Sequence, residues 1–244
     1  MSNAENKKTF HEKSYETEEG QLHQGKYNFI DAFLNTLYDK FRRFELHRED
    51  AVARLIPQGE KLLDMGCGSG SFIFKVKDKF KEIHGVDIAS NRINAAVRIK
   101  EENYKKANIS FHVVDFDLGL PFEDGYFDVI TGIATFAYTY NPYFAIQDIK
   151  RILKKGGTLI LEVPNIAWLP RRVSLLLGIL PRVSNGAGWD GGHLHNFTVA
   201  SLRDFLEAQG FKIICITGAG IFSNLRNFRV SLLSGDMIIK AEMK

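Results

Sequence analysis

Asp64, Gly66, Gly68 and Gly70 occupy alternate positions in the stretch LLDMGCGSG, residues 62–70. Glycines at this spacing bare the backbone, so that a turn can tighten and amide groups can approach a ligand closely. Asp64 adds a carboxylate at the mouth of the turn. Two kinds of ligand compete for such a loop. A dinucleotide loop follows G-x-G-x-x-G, its third glycine allowing close helix packing. Counted from Gly66, that third position is Ser71, and the glycine falls one residue earlier. The pattern here is instead D-x-G-x-G-x-G.

A nucleoside needs further groups. Asp87 follows Gly66 by about twenty residues, where a carboxylate can accept both ribose hydroxyls. Ile88 beside it offers an apolar surface to a base. In VVDFDL, residues 113–118, Asp115 or Asp117 can accept from an adenine amino group while the Phe116 backbone addresses the ring edge. Cys67, inside the loop, reads as a small filler and not as a nucleophile. Further on, Tyr138, His193 and His195 are the residue types that could move a proton, although a lone histidine is more often a packing residue.

The elements that must position these groups follow from apolar patterning. From Lys61 onward, short apolar runs alternate with helical segments, the signature of a parallel sheet covered on both faces. Strands are expected at KLLDMG, EIHGVDI, ISFHVVD, FDVITGI, GTLILEVP, FKIICITG and DMIIKAEM. Helices are expected after Gly70, from Ser90 to about Lys105, from Asn141 to Leu153 and from Thr198 to Gln209. Gly156 and Gly157 read as a turn before the fifth strand. Asn141 and Pro142 read as an N-cap and first turn. Upstream, Ile30, Phe33, Leu34, Leu37, Phe41 and Phe44 keep helical spacing, behind a polar arm of some 26 residues. Between Asn165 and Phe197 lies a stretch too long for an ordinary connection, with WLPRRVSLLLGILPRV at residues 168–183. It reads as a lid over the site, with a membrane-surface contact or a dimer patch as the other options.

The glycine loop resembles motif I of the class I S-adenosylmethionine-dependent methyltransferases. LPFEDGYFDVI (120–130), IKRILKKGGTLILEVPN (149–165) and GGHLHNFTVASLRDFLEAQGF (191–211) are similar, in the same order, to segments of the ubiquinone- and menaquinone-type enzymes. The resemblance covers roughly residues 51–218. It implies an α/β, Rossmann-like doubly wound sheet, mostly parallel with a C-terminal antiparallel strand and helices on both faces. It implies S-adenosyl-L-methionine as cofactor, held by Asp64, Gly66, Cys67, Gly68, Gly70, Asp87, Ile88, Asp115, Phe116 and Ile133, with Asp64 bracing the loop and Asp115 favoured over Asp117. Arg48 and Tyr27, with Tyr15, would close over the cofactor from residues 1–50, and residues 51–244 would form the transferase domain with its lid at about 165–197. His193 aligns with the family histidine. The LEH-like triplet that relatives carry after the fourth strand is replaced here by IATFAY, residues 133–138. Phe136 and Tyr138 then suggest an apolar or aromatic wall.

Composition narrows the partners. Thirty-two basic against 29 acidic residues give a formal charge of +3, scattered and not gathered into a stripe, which argues against nucleic acid. Two cysteines make neither a disulfide framework nor a metal site, no secretory signal is read, and a cytoplasmic monomer or homodimer without a transmembrane segment is expected. The expected activity is methyl transfer to oxygen or carbon of a small, hydrophobic or aromatic acceptor. The alternatives are a protein or nucleic-acid methyltransferase, a non-catalytic binding protein and, last, a dehydrogenase.

Overall fold

The computed structural model describes Lys40, residues 45–181, Val183 and residues 193–244. The helix expected over Ile30–Phe44, apart from Lys40, and Tyr15 and Tyr27 lie outside the described residues. In chain order the elements are β1 (Glu45–Leu46), α1 (Arg48–Leu55), β2 (Gly59–Met65), α2 (Ser71–Val76), β3 (Phe80–Asp87), α3 (Ser90–Asn103), β4 (Ile109–Val113) and β5 (Phe127–Ile133). There follow α4 (Pro142–Ile152), β6 (Leu153–Pro164), α5 (Leu169–Leu176), α6 (Val199–Ala208), β7 (Phe211–Gly218), β8 (Gly220–Ile221), α7 (Ser223–Arg226), α8 (Val230–Leu233) and β9 (Asp236–Met243).

Seven strands form one sheet in the order β4-β3-β2-β5-β6-β9-β7. The pairings from β4 through β6 are parallel, and β9 runs antiparallel to both β6 and β7. The chain therefore winds outward from β2 to β4, then restarts on the other side of β2 at β5. Ligands of such sheets bind beyond the strand carboxyl ends at this reversal, here between β2 and β5.

Strand side chains alternate between faces, and each face has its own core. Leu63, Met65, Ile130, Leu159, Leu161, Val163 and Ile239 pack on one side. Leu62, Ile83, Val129, Ile160 and Ile238 pack on the other. This is why the strands read as nearly unbroken apolar runs. α4 buries Ala145, Ile146, Ile149 and Ile152, one helical stripe. Its start is fixed as expected: Asn141 accepts from the Tyr143 and Phe144 amides at 3.1 and 3.2 Å, with Pro142 in the first turn. Thr198 caps α6 through the Ser201 amide at 3.0 Å, and Gly210 follows that helix with φ +89°.

Two details differ from the sequence expectations. β6 starts at Leu153, and Gly156 with Gly157 lies inside the strand as a bulge: Phe127 faces Leu153, yet Val129 faces Thr158. A two-stranded ribbon pairs Glu45 with Ile221, which apolar periodicity in two-residue strands cannot reveal. The long connection after β6 leaves and rejoins the sheet at one place, because Asn165 bridges Phe197 and Ile166 donates to the Phe197 carbonyl at 3.0 Å.

Candidate active site

The loop after β2 is held from β3. Gly66 and Cys67 both donate their amide hydrogens to the Val86 carbonyl, at 2.7 and 3.0 Å. Gly66 (φ +70°) and Gly68 (φ +53°) take left-handed conformations that disfavour a side chain. Space demands glycine as well. A Cβ on Gly66 would lie 2.0 Å from Thr135 Oγ1, and one on Gly68 would lie 2.5 Å from the Arg92 guanidinium. Arg92 thus brings a positive charge to the loop, and Thr135 packs it from the end of β5.

Both acids are buried against this loop. Asp64 is 2% exposed and accepts from the Thr131 hydroxyl of β5 at 2.7 Å. Burial, followed by the negative charges of Glu49 and Asp87, outweighs that hydrogen bond and pushes its carboxyl up to about 7. Asp87 splits its two oxygens: Oδ2 accepts from the Gly68 amide and Oδ1 from the Ala89 amide, each at 2.9 Å. Cys67 is buried, and burial together with Asp64 and Asp87 raises its thiol well above the ordinary range. A protonated, inaccessible thiol is a poor nucleophile. Gly85 makes room for Cys67, since a Cβ there would meet its sulfur at 2.8 Å.

The end of β5 turns on Ala134, a non-glycine residue with φ +52°. Its amide donates to the Glu162 carbonyl at 3.1 Å and to Glu162 Oε2 at 2.8 Å. Glu162 is fully buried, and its Oε1 has no hydrogen-bond partner. Burial first, then the charge of Asp236, raises its carboxyl, partly offset by Arg48. Arg48 is exposed at the start of α1, and its charge acts on the β6 end of the sheet.

Next to this turn lies an aromatic wall. The rings of Tyr138 and His193 stack with centroids 4.4 Å apart. The Ala137 carbonyl accepts from the amides of Leu194 and His195, at 3.0 and 3.1 Å, which docks the returning connection on the β5 loop. His193 is buried, and His195 Nε2 is enclosed without a hydrogen-bond partner. Phe136 packs near Phe197 and Phe205, at 5.9 and 6.1 Å. On the β3–β4 side, the Val114 amide donates to the Asp87 carbonyl at 3.0 Å, so Asp115 follows directly on the Asp87 strand end. Asp115 Oδ1 accepts from the Asp117 amide at 3.1 Å, and Asp117 Oδ1 accepts from the Tyr140 amide at 2.9 Å. The Phe116 side chain turns into the core, while Ile88 and Ile133 are half-buried.

Direct hydrogen bonds or packing therefore unite Asp64, Gly66, Cys67, Gly68, Asp87, Tyr138 and His193 with their neighbours at one end of the sheet. Sequence reasoning missed Thr131, Thr135, Arg92 and Glu162. Each acts through a partner distant in the chain, and no local pattern marks it. The arrangement suits a nucleoside: a turn whose glycines carry no side chains of their own, beside a carboxylate with lone pairs beyond its two backbone bonds.

Comparisons with known proteins agree with this geometry. A family model described as a methyltransferase domain matches residues 56–190, more than half of the chain. The biotin biosynthesis bifunctional protein BioHC of Teredinibacter turnerae is 33% identical over 58% of this chain and 27% of its own length. The ubiquinone biosynthesis O-methyltransferase of Idiomarina loihiensis is 26% identical over 71% of this chain and 70% of its own. This chain thus spans about a quarter of the first relative and over two thirds of the second. A SAM-dependent methyltransferase structure from Aquifex aeolicus shares the fold with a TM-score of 0.60 at 16% identity, covering 87% of this chain and 98% of that one. The chain belongs to the class I S-adenosylmethionine-dependent methyltransferases, the family of that methyltransferase domain.

Proposed function

We propose that this protein transfers a methyl group from S-adenosylmethionine to an oxygen or carbon of a small apolar or aromatic acceptor. The observation that carries the reading is the Gly66–Gly68 loop tied to Asp87, a left-handed glycine turn next to a carboxylate with lone pairs to spare. Asp87 would hold the ribose hydroxyls with its remaining lone pairs, and the amino-acid tail would lie along the glycine turn. Bound there, the cofactor supplies a methyl group already activated by the sulfonium charge. The chain then needs mainly to align the acceptor, and alignment is worth roughly 7–11 kcal/mol in the best cases.

Tyr138 and His193 would form the acceptor wall. A stacked aromatic pair favours a flat or apolar acceptor over a charged one. With an acceptor hydroxyl of high pKa, His193 or His195 would take its proton, and Tyr138 would orient it. The relative from Idiomarina loihiensis is named an O-methyltransferase of ubiquinone biosynthesis, which supports an oxygen acceptor. Asn141 and Pro142 serve as the cap and first turn of α4.

The test is incubation of the purified chain with S-adenosylmethionine and a panel of catechols, quinols and enols, with methylated product read by mass spectrometry. Turnover that falls at least about tenfold in His193→Gln, with binding of adenosylhomocysteine retained, supports the reading. Methylation confined to peptide or oligonucleotide substrates overturns it.

A further inference from the structure

The helix α5 is built inside out. Its buried residue is Ser174, whereas Leu169, Val173, Leu176 and Leu177 are exposed, Leu176 at 86%, and Leu180 continues the same stripe beyond Gly178. A helix that packs on a globular core buries its apolar stripe. A second exposed apolar group sits in the segment after β8, with Leu225 and Phe228 at 74% and 81%. The two segments are joined at one buried point. The side-chain amide of Asn165 donates to the carbonyls of Val230, Ser231 and Ser234 at 3.4, 3.2 and 2.9 Å, and Arg171 donates to the Gly235 carbonyl at 2.7 Å. The guanidinium groups of Arg171 and Arg226 both lie over the Trp168 ring, at 5.5 and 5.8 Å.

The charge of these segments is one-sided. Residues 165–183 contain three arginines and no Asp or Glu, and residues 212–235 contain one lysine, two arginines and no Asp or Glu. Arg172 and Arg229 are exposed beside the apolar side chains. Exposed leucine and phenylalanine beside the exposed Arg172 and Arg229 is the composition of a surface that lies in a headgroup layer. A second copy of the chain would bring the same arginines together without carboxylates to pair them. Among the described residues no helix is long and apolar enough to cross a membrane, so contact would be superficial.

We infer that this face, α5 together with the Leu225–Arg229 segment, docks on the surface of a bilayer rich in anionic lipid. Both segments hang from the carboxyl end of β6, the end of the sheet that holds Tyr138 and His193. A docked molecule would open its acceptor wall toward the lipid and admit an apolar acceptor without a passage through water.

Co-sedimentation of the purified full chain with vesicles, in the absence of cofactor and acceptor, tests this independently of the proposed reaction. Binding to phosphatidylcholine vesicles containing about one third phosphatidylglycerol should exceed binding to phosphatidylcholine alone by about tenfold and weaken as salt is raised. The double substitution Leu176→Asp with Phe228→Asp, both at exposed positions, should reduce it by about tenfold with an unchanged melting temperature. Absence of binding to the anionic vesicles overturns the inference, and so does binding that the double variant retains. Sedimentation velocity supplies the third arm: a dimer abolished by the same substitutions would assign the face to a second copy instead.

Discussion

Gly68 donates its amide hydrogen to Asp87 Oδ2 at 2.9 Å, joining the loop after β2 to the tip of β3. The other oxygen takes the Ala89 amide, so one carboxylate fixes both the glycine loop and the entry to α3. Asp87→Ala would remove the ribose contact and leave two amides unpaired. Hydrogen bonds to a charged group are worth about 1.5–3 kcal/mol, so affinity for adenosylhomocysteine should fall at least about tenfold. Asp87→Asn, which keeps an acceptor for one amide, should lose less. Titration calorimetry on both variants decides it; unchanged affinity in Asp87→Ala would sink the assigned contact.

Gly66 and Thr135 are in mutual contact. In Gly66→Ala the new methyl would lie 2.0 Å from Thr135 Oγ1, at a φ of +70°. The left-handed conformation alone costs roughly 1–2 kcal/mol for an alanine, and the clash adds to it. Expected are a lower melting temperature and loss of cofactor binding. Thr135→Gly in the same chain should recover part of both, because it removes the atoms in the way. Failure of that rescue would mean the loop geometry is set elsewhere.

Asp64 makes stability depend on pH. Its carboxyl lies near 7 in the folded chain against an ordinary 3.8, so the folded state binds the proton more tightly. Its contribution is fully present below pH 3.8 and is lost as pH rises through about 7. Asp64→Asn should therefore gain up to about 4 kcal/mol of stability at pH 8 and little at pH 4, read from urea unfolding. Equal changes at the two pH values would rule this out.

His112 has the opposite sign. Burial, then the neighbouring charge of His84, lowers its pKa from the ordinary 6.5, so the unfolded chain binds the proton more readily. Stability should be complete above pH 6.5 and fall as pH drops below it. The geometry agrees. His84 Nδ1 meets His112 Nε2 at 3.1 Å, and its other nitrogen meets Glu82 at 2.7 Å, with Tyr126 and Lys61 also on Glu82. That chain accommodates one donor between the rings, and a second proton breaks it. His112→Gln should flatten the loss of unfolding midpoint between pH 7 and 5.

The sequence by itself determined the strands of the sheet, because burial on both faces demands unbroken apolar runs of strand length, and these are visible without neighbours. It determined the glycine loop, since only glycine tolerates left-handed turns with no room for a Cβ, and it determined the caps at Asn141 and Thr198, where a side chain meets amides two or three residues away. The tertiary structure alone decided what stands against those features. Thr131 on Asp64, Thr135 on Gly66, Arg92 on Gly68 and Glu162 under Ala134 join residues 24 to 69 positions apart. Strand order brings them together, and strand order is a property of long-range pairing. The outward leucines of α5 follow the same rule: helical spacing shows a stripe, but only packing shows which side of it faces the protein.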